Sequence, residues 1–430
     1  MVSIPTSDDA STGGADRGSL PFTARQSYSI LGVAVLGTFL DGVDFLIFLF
    51  FLPPLMGEFD VSLATLSYVH AASFVAGIVG ALIFGQISDR LGRRPALALS
   101  IATYSGFILL SAFAHSFELF VIARLLTGVG LGGETGVAFA IVNEAFPGEK
   151  ARRGAASALL QCMFPLGGVA AAWLYAETTL AVGADAWRWS FGLLGSGLIL
   201  AAITPFIIPE SRLWLESRAR RAARSDGPSL LALLRQPPLP RIMLVATLML
   251  TAACFGLFVP STFAPAMWQT VYHLSPQMVA ALGVAAGLIG AAAFLAAGAL
   301  SDRFGRRRVF ASLAGFNLLA YILFALAIGL ESSAWSVIIA FNLILVGGGF
   351  FGVQGSWMSE LLPIEVRATA FNLVYYTARA IGGGLAPALA LSTATSLGLG
   401  IGHAIAFGGV GIALAIALSF ALPETRTKRL

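Results

Sequence analysis

The sequence predicts an all-α polytopic membrane protein with twelve transmembrane helices in two pseudo-symmetric six-helix bundles. Three observations predict it. Of 430 residues, 57% are hydrophobic and only 11% charged, and the mean hydropathy is +0.85; an ordinary soluble domain carries about 25% charged residues. Apolar runs long enough to cross about 30 Å of hydrocarbon as helices recur between short polar breaks. Three short polar segments also occur twice, about half a chain apart.

Residues 1–27 are polar, with Gly, Ser and Asp clusters and no basic region ahead of an apolar one. They read as a disordered cytoplasmic tail and not as a cleaved signal. The apolar runs cover roughly 28–51, 64–87, 95–114, 117–143, 155–178 and 189–208 in an N-terminal bundle over 28–208. A cytoplasmic linker loop, 209–240, leads to a C-terminal bundle over 241–421, with runs at about 241–263, 277–300, 309–330, 334–359, 369–394 and 401–421. Residues 422–430 form a second cytoplasmic tail.

The basic residues orient this topology. With the N-terminus inside, 23 of the 26 Lys and Arg fall in cytoplasmic segments and only Arg188 in an external loop. That asymmetry predicts cytoplasmic termini in a cell membrane, inner or plasma. The same dispersal removes nucleic acid as a partner despite a net charge of +4, because no single basic patch forms. Cys162 and Cys254 lie inside apolar runs, so neither a disulfide framework nor a metal site is expected.

The duplication is specific. "GQISDRLGRR" (Gly85 to Arg94) returns as "GALSDRFGRRR" (Gly298 to Arg308), with Asp89 and Asp302 213 residues apart. "NEAFPGEKARRG" is echoed by "SELLPIEVRAT", separating Glu144 and Glu360 by 216, and "IPESR" by "LPETR" at 214. Duplicated bundles of this kind are usual in secondary transporters, whose binding sites lie near mid-membrane between the halves. The doubled G-x-x-S-D-R-x-G-R-R turn and "RLLTGVGLGGE" (Arg124 to Glu134) resemble the major facilitator superfamily. Within it, the D-G-x-D of Asp41 to Asp44 and the arginine of "YYTARAIGGGLAP" are similar to the aromatic acid:proton symporters. "GGE" and "PESRLWL" are more similar to nicotinate, sialate and monocarboxylate carriers. The resemblance covers residues 28 to 425. It implies that Asp89, Arg90, Arg93, Arg94, Asp302 and Arg303 form a charge latch between the halves that stabilises an outward-open state. Glu144 and Glu360, beside Arg152, Arg153 and Arg367, read the same way.

Intramembrane charges stand apart from the repeat. At the repeat offset Asp41 falls on Phe255, Asp44 on Phe258, Arg124 on Ala340, Glu134 on Phe350, and Arg379 near Met163. Each charge was therefore added to one half alone, and charge in a membrane helix is costly enough to suggest function. At about 1.5 Å per residue, Asp41 and Arg379 lie close to their helix centres. Asp41 and Asp44 share one helix face, which must meet water or a partner; for both, the alternative is an ion pair that only holds helices together.

If all are ionised, three acids (Asp41, Asp44, Glu134) against two arginines (Arg124, Arg379) leave the cavity one charge negative. Binding an anion there calls for proton uptake by one carboxylate, and Asp41, the deeper aspartate, is the expected carrier. Arg379, with Tyr375 and Tyr376, suits a carboxylate through its two-pronged donors. Arg124 is free to contact substrate, snorkel or pair with Asp44. Gln161, Gln354 and Phe45 are further candidate contacts, and His70 is expected to pack or to make a hydrogen bond rather than to transfer a proton. The expectation is proton-coupled uptake of a small organic anion, an aromatic or other monocarboxylic acid, by a monomer in the lipid bilayer with no cofactor. A sugar or polyol:proton symporter and a drug:proton antiporter are the alternatives, and an enzyme is excluded because no helix presents a catalytic set.

Overall fold

The computed structural model describes residues 22–61, 63–146, 150–222, 236–363 and 366–425. Twelve long helices are present among them. In the first half these are α1 (Ala24–Phe50), α2 (Leu63–Leu91), α3 (Arg93–Ala112), α4 (Phe117–Ala145), α5 (Lys150–Val182) and α6 (Ala186–Leu194 and Gly197–Ile207). In the second half they are α7 (Leu239–Thr270), α8 (Pro276–Phe304), α9 (Arg306–Gly329) and α10 (Ala334–Gly347 and Phe351–Leu361). Then come α11 (Arg367–Ala378, Arg379–Leu385 and Ala386–Ser396) and α12 (Ile401–Ala406 and Gly408–Ser419).

By length and composition, ten stretches of the described residues could cross a membrane. One of these, Ala156–Ile207, holds both α5 and α6, and α11 is not among the ten. Helix α11 carries Arg379, Asn372, two tyrosines and three glycines, and it is walled mostly by protein, so its apolar signal is weak.

Local chemistry sets several boundaries. Helix α1 begins ahead of the expected 28 because Thr23 and Gln26 form a reciprocal capping box. The segment 209–240 is not wholly loop: Arg212–Ala222 is helical, and 223–235 fall outside the described residues. So do the expected tails at 1–21 and 426–430.

The halves are built by close helix approach. Glycines make it possible: a Cβ at Gly80 or Gly132 would collide with the backbone carbonyl of Val129 or Gly77, sealing α2 against α4. Gly42 meets Phe164 in the same way between α1 and α5. Between the halves, α5 packs on α8 and α2 on α11.

The doubled turn explains its own glycine. Gly92 (φ 124°) and Gly305 (φ 104°) take backbone conformations that favour glycine. A Cβ there would strike the carboxylates of Glu210 and Glu424. Those carboxylates cap the next helix: Glu210 accepts from the amides of Arg93 (2.8 Å) and Arg94 (3.2 Å), Glu424 from Arg306 (2.8 Å) and Arg307 (3.1 Å). Burial pushes the Glu210 carboxyl up from its ordinary range, and the amides of Ser211, Arg93 and Arg94 pull it back.

Candidate functional site

Helix α4 carries three ionisable groups ten residues apart, Arg124, Glu134 and Glu144, about 15 Å between neighbours along the axis. They mark three depths of one site, from the end opposite the doubled turns to the turn end.

Arg124 and Asp44 form a two-pronged pair, at 2.6 and 2.9 Å, with the guanidinium over Phe48 and Phe191. This pair lies wholly within the first half. Arg379 crosses to the first half and holds Asp41 at 2.9 and 3.4 Å. All four side chains are at most 3% exposed. Burying such charges is tolerable only because each has an opposite partner and directed hydrogen bonds.

Arg379 begins a π-helical segment, Arg379–Leu385, a device that often marks functional sites. Gly382 and Gly383 let this segment press against α7, because a Cβ at Gly382 would strike the Thr251 carbonyl and one at Gly383 would crowd the Phe258 ring. Five rings surround the guanidinium, at 4.9 Å (Phe164), 5.1 Å (Phe74), 5.8 Å (Phe45 and Tyr376) and 5.9 Å (Phe258). Its Nε–H has no hydrogen-bond partner among the described residues.

Glu134 differs from both aspartates. It is fully buried, and its partners are two hydroxyls, Thr38 at 3.5 Å and Thr135 at 3.4 Å. Among the described residues no guanidinium or ammonium pairs with it. Thr135 also meets the Tyr376 hydroxyl at 3.2 Å, and that hydroxyl donates to the Leu131 carbonyl. Glu134 thus lies, by way of Thr135, close to Tyr376 on the helix that carries Arg379.

A cavity of about 30 Å³ lies between these groups, lined by Asp41, Asp44, Phe45, Arg124, Tyr376 and Arg379 from the expected set. Room for about one or two waters is the scale of such a volume. His70, Ser73, Phe74, Gly128 and Leu131 complete the lining and were not expected. One signal pointed to them: His70, Ser73, Phe74 and Gly77 share a helical face that a glycine-lined contact places toward α4.

Glu134, Tyr375, Gln161 and Gln354, expected at the site, are not among the residues that line this cavity. Gln354 is 1% exposed, and neither of its amide atoms has a partner among the described residues.

At the turn end, Arg93 binds Asp89 (2.5 Å), Ser88 (3.2 Å) and Glu144 (3.3 Å). Arg306 repeats this with Asp302 (2.6 Å), Ser301 (2.6 Å) and Glu360 (2.9 Å). Asp89 and Glu144 also reach across to the second half. Asp89 accepts from the Thr369 amide (3.1 Å) and hydroxyl (2.5 Å), and Arg367 approaches Glu144 at 3.6 Å.

Arg90 and Arg303, expected in this network, are instead exposed, and Arg94 reaches the Pro205 carbonyl. The reason lies in the turn: Asp89 and Asp302 sit near the end of one helix and Arg93 and Arg306 open the next, so the chain reversal at the glycine brings arginine to aspartate. Arg90 and Arg303, next to the aspartates on the same helix, point away. Sequence reasoning had not placed Arg306 and Thr369 in the network; the side chains of Arg152 and Arg153 lie outside the described residues.

Comparison with known proteins decides the family. The pattern of the Major Facilitator Superfamily matches residues 34–387. The chain belongs to that superfamily. It is a membrane transporter and not an enzyme. A probable 4-methylmuconolactone transporter of Cupriavidus pinatubonensis is 30% identical over 81% of this chain and 79% of its own length. The 4-hydroxybenzoate transporter PcaK of Acinetobacter baylyi is 27% identical over 80% of each. The proton:xylose symporter XylE, solved with a bromodeoxyglucose, shares the fold at a TM-score of 0.78 and 18% identity, covering 94% of this facilitator chain and 97% of its own.

Proposed function

We propose that this transporter takes up a small organic anion, an aromatic or other monocarboxylate, together with a proton, by alternating access. The observation that carries the reading is Arg379. Its guanidinium spends both terminal nitrogens on Asp41 and keeps an unpartnered Nε–H edge among five aromatic rings. A carboxylate can take that edge side-on while the rings receive an apolar body. Relatives named for 4-hydroxybenzoate and 4-methylmuconolactone support the same class.

Charge balance supports the proton. Each aspartate is matched by an arginine, so the surplus acid is Glu134. A buried carboxylate without a cation costs more than the neutral acid, and an anion arriving on Arg379 adds a further negative charge nearby. Protonation of Glu134 offsets it. Asp41 then acts as the counter-ion that competes with substrate for Arg379, which moves the expected proton carrier from helix α1 to helix α4. The clustering of basic residues at the turn end supports a cytoplasmic position for that end and for both termini. The reading needs no cofactor and one copy of the chain.

The test is uptake into proteoliposomes with an imposed pH gradient, screened over labelled carboxylates. Accumulation of an organic acid is expected, with Glu134→Gln losing gradient-driven uptake but retaining exchange of internal for external substrate. Accumulation of a sugar, or gradient-driven uptake that survives Glu134→Gln, overturns the corresponding part.

A further inference from the structure

Most polar side chains lining the central cavity hold a partner inside the protein. Asp41 and Asp44 hold their arginines, Ser73 donates to the Val69 carbonyl, and Tyr376 to that of Leu131. His70 is the exception: its imidazole makes no hydrogen bond or ion pair among the described residues. Its contacts are with rings. The imidazole stacks on Phe48 at 5.0 Å with 8° between planes, and meets Phe74 at 5.1 Å and Phe45 at 5.2 Å.

Phe45 and Phe74 are also neighbours of Arg379, at 5.8 and 5.1 Å from its guanidinium. The two phenylalanines are therefore shared between a cation and an imidazole whose ring nitrogens are unspent. Stacking on Phe48 fixes the plane of the imidazole, so its polar edge alone is left to recognise something. A neutral imidazole offers one donor and one acceptor there.

The geometry points to His70 as the specificity-determining contact for the end of the substrate remote from its carboxylate. This rests on the reading that an aromatic carboxylate binds Arg379, and it deepens that reading. With the carboxylate on Arg379 and the ring among Phe45 and Phe74, a hydroxyl on the far part of the ring hydrogen-bonds His70. An unsubstituted ring leaves the imidazole without a partner. A site built to bond a hydroxyl discriminates against the analogue that lacks it far better than an apolar pocket discriminates size.

The experiment measures binding of benzoate and of the three monohydroxybenzoates to the purified, full-length transporter, by calorimetry and by competition in proteoliposomes. The wild-type protein is expected to prefer at least one hydroxybenzoate over benzoate by about tenfold or more. His70→Phe should bring that ratio to near one, and His70→Gln, which keeps a donor and an acceptor, should retain part of it. Phe74→Leu should weaken both ligands and leave the ratio in place. If His70→Phe fails to fold, as judged by thermal melting, His70→Leu and His70→Gln carry the same ratio. A ratio that survives loss of the imidazole, or a wild-type ratio of one, overturns the assignment and leaves the anion reading standing. Failure of every benzoate to bind the wild-type protein overturns both.

Discussion

At the turn end, Arg93 and Arg306 hold the same places in the two halves. Each binds an aspartate four residues back, a serine five residues back, and a glutamate from the fourth helix of its own half. Each turn glycine makes way for a glutamate that caps the next helix. At the middle of the bundle the likeness ends. The first half supplies Asp41, Asp44, Arg124 and Glu134, while the second supplies Arg379 and, at the places of the two aspartates, Phe255 and Phe258. The turn network is thus common to both halves, and the buried charges of the middle are not. Asymmetry in the middle also means that one buried ion pair, Asp41–Arg379, joins the two halves there.

That division can be broken most severely at Arg379. Arg379→Ala leaves Asp41 buried without a cation, which should cost about 3–5 kcal/mol of stability and remove uptake. The double change Asp41→Asn with Arg379→Gln should recover much of the thermal stability and none of the transport. Recovery of transport would make the pair structural only.

A smaller effect separates contacts between halves from contacts within them. Thr369→Val removes the hydroxyl that joins α11 to Asp89, a charge-assisted bond of about 1.5–3 kcal/mol. It should shift the population toward forms open at the turn end, read by labelling of cysteines introduced there. Thr425→Val removes a bond to Glu360 inside the second half and should lower the melting temperature without that shift. Equal shifts from both would erase the distinction.

The smallest effect concerns two indoles. Trp214, on the helix after the first bundle, donates to the Asp89 carbonyl at 3.0 Å, and Trp357, in α10, donates to the Pro423 carbonyl at 3.0 Å. Each fastens the segment that follows its own half, from opposite sides of the joint. Trp214→Phe and Trp357→Phe should each cost about 1 kcal/mol, measured as modest drops in melting temperature. A larger penalty at Trp214 would show that the linker helix supports the Asp89 contact across the halves.

Much of this was legible in the chain. The doubled turn announced itself because its glycine, aspartate and arginine serve local geometry, the aspartate near the end of one helix and the arginine at the start of the next. The membrane acids were visible because almost nothing else is charged in those runs. Arg90 and Arg303 were counted into the network from proximity in sequence, which ignores that adjacent residues on a helix face different ways. His70 was expected to pack or to make a hydrogen bond, and it does stack on Phe48, yet its position in the cavity wall depends on how α2 leans on α4.

The sequence by itself determined the class, the two halves, and the surplus of one acid over the arginines in the membrane. Those properties follow from composition, repetition and charge count, which need no coordinates. Only the tertiary structure decided which acid is the surplus one. Arg379 lies 338 residues from Asp41 and Arg124 lies 80 from Asp44, and no local rule assigns partners over such distances. Helix packing brought each arginine to an aspartate and left Glu134 with hydroxyls alone among the described residues, so which acid lacks a cation is a property of the assembled bundle.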